Sequence, residues 1–204
     1  MHVADHVRVV EVVEVDPPVV RRDLRVELSI HSVPPTRHPR LSAAKSRIYS
    51  YILRRRSQPR TRSVIERLAA GVRGLYDDVE ALDRLADHAT VGLVSNNYDP
   101  TVAFVVDHFR LDAFGFARGR DLGPEGFARR KPDPHYLNEA LDALDATNGL
   151  YVGDRESDMR AAENAGLDGV FIRRDHNASL ELDVEPVAEI RSLEDLLPFV
   201  TERT

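Results

Sequence analysis

Two aspartates four residues apart, Asp154 and Asp158, follow the apolar run Gly149-Leu-Tyr-Val152 and flank the start of a predicted helix. At that spacing both carboxylates can face one point, and hard oxygen ligands so arranged suit Mg²⁺. Taken alone the pair has a plainer reading, with Asp154 as a helix cap and Asp158 as a solvated first-turn acid. Lys131 is the single lysine after residue 73 and lies in Arg129-Arg-Lys-Pro-Asp-Pro134, ahead of another predicted helix, where an ammonium can meet a phosphate. Ser95, Asn96 and Asn97 follow the apolar run Thr90–Val94. A hydroxyl after one strand, a lysine before a helix, and Gly-Asp-x-x-x-Asp after the next strand make an ordered triplet that chance does not easily supply.

The elements that must position these groups read clearly from about residue 74. Val79, Leu82, Leu85 and Ala86 mark a helix over 78–87, and Thr90–Val94 is a run of buried-strand type. Asp99-Pro100 offers an N-cap and a proline at the first helical position, opening a helix through about Phe109. A strand at Ala113–Phe116, a Gly-rich loop from Gly119 to Gly126 and a helix from Pro134 to about Leu144 come next. Gly149–Val152 is a strand, Ser157–Ala165 a helix with Gly166 as its left-handed cap, Gly169–Ile172 a further strand, and Ser192–Val200 a closing amphipathic helix. Strands alternating with helices of this length predict an α/β, Rossmann-like parallel sheet with helices on both faces. Ligands in such sheets bind beyond the carboxyl ends of the strands, which is where the triplet falls.

The 204 residues carry a net charge of -6, but unevenly. Residues 1–73 hold fifteen Arg and Lys against seven Asp and Glu, whereas residues 74–204 hold thirteen against twenty-seven. We therefore divide the chain into an atypical basic segment, 1–73, and an α/β core, 74–204. Between Leu28 and Ile65 there are nine basic residues, no acidic one and four prolines, which is poor material for a core. No uncharged apolar run approaches the roughly 20 residues needed to cross a bilayer. Asp5, Glu11 and Glu14 interrupt the place where a signal peptide would need an apolar stretch, so a cytoplasmic protein is expected. The absence of cysteine excludes disulfides, a thiolate nucleophile and thiolate-bound zinc. Nucleic acid is not an expected partner: aromatics in the basic stretch are confined to Tyr49 and Tyr51, and no recognition motif appears.

The ordered set resembles the haloacid dehalogenase superfamily, most closely its phosphoglycolate-phosphatase-like branch. Leu93-Val-Ser-Asn-Asn97 matches the second family motif, Lys131-Pro-Asp-Pro-His-Tyr136 the third, and Val152-Gly-Asp-Arg-Glu-Ser-Asp158 the fourth. The resemblance covers about residues 74–200. It implies that Ser95, with Asn96 beside it, binds the transferring phosphoryl group, that Lys131 neutralises charge on phosphate and nucleophile, and that Asp154 binds Mg²⁺ while Asp158 holds the metal or its water. The implied substrate is a small phosphorylated metabolite. Phosphoryl transfer agrees with this set, since it asks of a protein mainly positioning and positive charge around the equatorial oxygens.

One departure stands out. The family's first motif, Asp-x-Asp at the end of a buried N-terminal strand, supplies nucleophile and general acid/base, and this sequence lacks it. The nearest stand-in is Asp16, after Val7-Arg-Val-Val-Glu-Val-Val-Glu-Val15, but Pro17 and Pro18 follow where the second aspartate belongs. Three accounts of the N-terminal segment compete: divergence to a non-catalytic phosphate- or partner-binding relative, a shifted reading frame upstream of the patterned region, and a basic arm for a polyanion. The second accounts best for the composition. In the family fold the first-motif strand lies centrally, between the strands bearing Ser95 and Asp154, so residues 7–15 are expected either to pair there or to leave the chain poorly folded.

Overall fold

The computed structural model describes Val7–Val10, Gly71 and residues 74–201. Asp16 and the remainder of the basic segment lie outside the described residues. The strands are β1 (Val7–Val10), β2 (Thr90–Tyr98), β3 (Phe114–Arg120), β4 (Leu150–Gly153), β5 (Asp168–Ile172) and β6 (Ala188–Ile190). The helices are α1 (Ala81–Ala86), α2 (Asp99–Phe109), α3 (Gly123–Ala128), α4 (His135–Ala143), α5 (Glu156–Ala165) and α6 (Leu197–Thr201). The six strands form one parallel sheet in the order β3-β2-β1-β4-β5-β6.

Strand β1 is what makes the sheet continuous. Val7, Arg8 and Val9 pair with Thr90, Val91 and Gly92 of β2, while Val9 and Val10 pair with Tyr151 and Val152 of β4. Without it, two central strands would each bury a row of unpaired N–H and C=O groups, at about 1–3 kcal/mol apiece. The expected central strand is therefore present over residues 7–10, and residues 11–15 are outside the described set.

Period-2 alternation sorts the core onto two faces. Val91, Leu93, Leu150 and Val152 point to one side, where they pack with Leu82 and Leu85 of α1, Val102 of α2, and Leu196 and Val200 at the C-terminal end. Val94 and Tyr151 point to the other, against Tyr136, Leu137, Ala140 and Leu141 of α4 and Ala161 and Ala162 of α5. Burial on both faces is why these strands read as nearly unbroken apolar runs.

Several boundaries differ from the sequence reading, each for a local reason. Strand β2 runs on to Tyr98 through a register shift after Ser95, and β3 extends into the Gly-rich loop as far as Arg120. Gly119 permits this, because a Cβ there would stand 2.6 Å from the backbone of Asp99. Helix α2 begins at Asp99 with Tyr98 as the capping residue; the Asp99 carboxylate instead accepts from Gly119 N at 3.0 Å. The predicted first and last helices each divide into a 3-10 turn followed by a short α-helix. Strand β6, three residues with the charged Glu189 at its centre, shows no period that sequence could reveal. Gly166 caps α5 at φ 71°, as its position predicts.

Gly153 ends β4 in a place with no room for a side chain: a Cβ would collide with Asp158 Cβ and lie 2.7 Å from its Cγ. Gly153→Ala is expected to destabilise the protein by about 1–3 kcal/mol, the usual range for overpacking, and to lower the thermal midpoint accordingly. A midpoint equal to the parent's would show that Asp158 is not packed where we describe it.

Candidate active site

The carboxyl ends of β2 and β4 flank that of β1, and the candidate residues gather there. Ser95 is buried at the end of the apolar part of β2, and its Oγ accepts from Asn97 N and Asn97 Nδ2, both at 3.2 Å. The Asn96 side chain accepts from Lys131 N at 2.9 Å, joining the C-terminal part of β2 to the loop that carries the lysine. The Lys131–Pro132 peptide is cis.

Lys131 is only 4% exposed. Its Nζ lies 2.8 Å from Asp158 Oδ1 and donates to Tyr151 Oη, also at 2.8 Å. Asp158, 1% exposed, sits in the first turn of α5, and its Oδ2 accepts from Asp154 N at 3.2 Å and Arg155 N at 3.0 Å. One carboxylate thus pairs a buried ammonium with one oxygen and satisfies the open amides of a helix start with the other. The sequence spacing leads one to expect Asp158 to converge with Asp154 on a cation. In the structure its oxygens converge on Lys131 and the helix start instead.

Asp154 differs. It is 5% exposed; Oδ1 is 3.8 Å from Arg155 Nε, and Oδ2 accepts from His176 Nε2 at 2.9 Å, which fixes the protonated ring nitrogen if the carboxylate is ionised. Burial pushes its carboxyl above the usual carboxylate range, and the nearby Asp158 charge pushes it further, with His176 and Arg155 opposing. A cation at this point would offset both effects, so the site fits Mg²⁺ chemically. Among the described residues, no group of three His, Cys, Asp or Glu side chains is placed to hold a metal. A Mg²⁺ ion bound at Asp154 would need further oxygen ligands.

Sequence reasoning missed four contributors. Tyr151 alternates with Leu150 and Val152 and so points to the opposite face, but nothing in the sequence says that its hydroxyl meets a lysine. His176 and Asn177 follow the end of β5; Asn177 Nδ2 donates to Asp154 O at 2.8 Å and to Ile172 O at 3.0 Å. The rule that sites lie beyond strand ends extends to this loop. Arg118, on β3, binds Asp121 and Glu139 at 2.9 Å each and Asp99 at 3.3 Å. It clamps the start of α2, the loop after β3 and helix α4, and so locates the lysine loop between them. Its charge holds the Asp121 carboxyl below the ordinary range through their hydrogen bond, against a smaller opposing effect of burial.

Known proteins share this chain's sequence pattern and fold. A family model described as haloacid dehalogenase-like hydrolase matches residues 27–166. The phosphoglycolate phosphatase of Rhodobacter capsulatus is 35% identical over 109 residues, 51% of this chain and 48% of that one. That of Aliivibrio fischeri is 33% identical over 107 residues, 50% of this chain and 46% of the other. The chain thus spans about half the length of these curated relatives. Among solved structures, CbbY from Rhodobacter sphaeroides, in complex with phosphate, superposes with a TM-score of 0.57 at 18% identity, covering 84% of this chain and 73% of that one. A HAD phosphatase from Thermococcus onnurineus gives 0.56 at 21%, covering 78% and 80%. At these identities the superpositions speak for the fold, and the family match speaks for ancestry: the chain belongs to the haloacid dehalogenase-like hydrolases.

Proposed function

We propose that this protein is a Mg²⁺-dependent phosphomonoester hydrolase acting on a small phosphorylated metabolite. The observation that carries the proposal is the buried Lys131 ammonium, held by Asp158 and Tyr151, on a loop whose backbone is tied to Asn96, the residue after Ser95. The phosphatase names of its relatives support the same reading. In this account Ser95 Oγ and Asn96 bind the phosphoryl oxygens and Lys131 balances their charge. Asp154 holds the metal, and Asp158 acts through Lys131 rather than as a direct ligand. Mg²⁺, when bound, supplies charge neutralisation at the phosphoryl group.

The nucleophile is assigned to Asp16, the aspartate that follows β1 in sequence. Residues 1–73 are read as an atypical basic segment holding a degraded first strand and cap, and 74–204 as the α/β core. The family match beginning at residue 27 supports including part of this segment in the family domain. The missing Asp-x-Asp motif favours a second reading, a relative that binds phosphate without turnover.

Three measurements test these assignments. The first is hydrolysis of p-nitrophenyl phosphate with and without Mg²⁺. Turnover should require the metal and fall by at least about a hundredfold in Lys131→Ala and Asp154→Ala, in line with loss of one preorganised charge-stabilising group, and it should vanish in Asp16→Asn. Phosphate binding without turnover would select the second reading, and full activity in Asp16→Asn would remove that residue from the mechanism.

The second compares two partners of Lys131. Tyr151→Phe, which deletes the hydrogen bond to Lys131 Nζ, should cost about 1 kcal/mol of stability. Asp158→Asn, which removes a buried charge from beside the ammonium, should cost about 3–5 kcal/mol. Equal losses by denaturant unfolding would contradict the ion pair's dominance.

The third concerns pH. Because the folded state raises the Asp154 pKa, its contribution favours folding at low pH and is lost as pH rises through the raised value. Metal-free Asp154→Asn should therefore melt above the parent at pH 8, with the difference shrinking as pH falls into the ordinary carboxylate range. Mg²⁺ should raise the melting temperature of the parent but not that of the variant. A pH-independent difference would show that Asp154 is not destabilised by its charge.

A further inference from the structure

Arginines in the described part of the chain mostly meet carboxylates. Arg84, Arg118, Arg129, Arg160, Arg173 and Arg174 each lie 3.4 Å or less from one. Arg120 and Arg130 have no carboxylate partner among the described residues, although this region is rich in acids. Both stand on the same aromatic ring. The Arg130 guanidinium lies 3.6 Å from the Phe127 centroid and that of Arg120 5.7 Å from it, with Arg120 also stacked on Tyr98 at 3.8 Å. Phe127 itself is 52% exposed.

This stack borders the phosphate site. Arg120 ends β3, the strand next to the one bearing Ser95, and its Nε donates to Asn96 O at 2.8 Å. Arg130 immediately precedes Lys131 and donates to Phe127 O at 3.0 Å. Asn96 links the two loops, since its side chain accepts from Lys131 N. Two like charges on one ring repel each other, whereas an anion received between them would offset that repulsion. Guanidinium groups whose planes are fixed by stacking are well suited to grip a planar or tetrahedral oxyanion.

We infer that Arg120 and Arg130, braced on Phe127, form a second anion site that receives a carboxylate or phosphate carried on the leaving group of the substrate. The inference rests on the hydrolase reading for its substrate and deepens it. The preferred substrate is then a phosphomonoester with a second anionic group a few bonds from the first.

The test compares 2-phosphoglycolate, ethane-1,2-diol bisphosphate and ethyl phosphate on the full-length parent, Arg130→Gln and the Arg120→Gln/Arg130→Gln double variant. At least one of the two compounds with an anionic tail should show a KM about tenfold or more below that of ethyl phosphate in the parent, the scale of one charged hydrogen bond. Arg130→Gln should narrow that gap and the double variant close it. In Arg130→Gln the ethyl phosphate KM should stay within about twofold of the parent's, because Arg130 touches none of the phosphate-site groups. Which of the two tails shows the gap identifies the group received. Calorimetric Kd values for the same compounds read out the same gap without turnover. Absence of hydrolysis with the Kd gap intact would defeat the hydrolase reading and leave the second site standing. No gap in the parent, or a gap unchanged in the double variant, would overturn the inference.

Discussion

The buried ion pair between Lys131 and Asp158 is the interaction on which the site depends. Removing two charges from water costs several kcal/mol per ion even after relaxation, and the attraction between them repays this only with good geometry and further hydrogen bonds. Those bonds are present. The Tyr151 hydroxyl accepts from the ammonium, and two amides at the start of α5 satisfy the other Asp158 oxygen. A pair so costly is poor material for stability alone. Its consequence is an ammonium held in one position at the carboxyl ends of the strands, with no reorganisation needed when an anion arrives.

Much of the surrounding structure follows from accommodating that pair. Gly153 is bare because Asp158 fills the space that its side chain would take. The Asn96 side chain ties the lysine's own backbone to the C-terminal part of β2, and Arg118 pins the intervening segments through three carboxylates. The sheet places these loops side by side through β1, whose pairing with both β2 and β4 spans the gap between Ser95 and Asp154. Asp154 then stands out by contrast. It is a buried carboxylate pushed toward protonation by burial and by its neighbour, with a single histidine hydrogen bond to one oxygen.

The regular part of this design was legible in the sequence because it rests on local rules. Apolar runs of four or five residues, helices of about ten and a glycine after Ala165 fixed the parallel α/β order, and the strand-end rule pointed to Ser95, Lys131, Asp154 and Asp158. What was not legible is what depends on distant contacts. The i, i+4 spacing of Asp154 and Asp158 suggested a shared cation, whereas Lys131, twenty-seven residues upstream of Asp158, claims that carboxylate. Tyr151 carried no motif, and only the fold brings its hydroxyl to the ammonium. His176 and Asn177 carried no motif, and only the fold returns their loop to Asp154. Arg8, Glu11 and Glu14 break the apolar pattern of residues 7–15, yet Val7–Val10 suffices to complete the ladder on both sides.

The central claim is that the Lys131 ammonium, held by Asp158, is the charge that receives a phosphoryl group. Isothermal titration of inorganic phosphate into the full chain with Mg²⁺, parent against Lys131→Ala, tests it without requiring a nucleophile. The account predicts saturable binding by the parent and a Kd at least about tenfold weaker in the variant, the loss expected for one charge-assisted contact. Equal affinities in the two proteins, both folded, would contradict it.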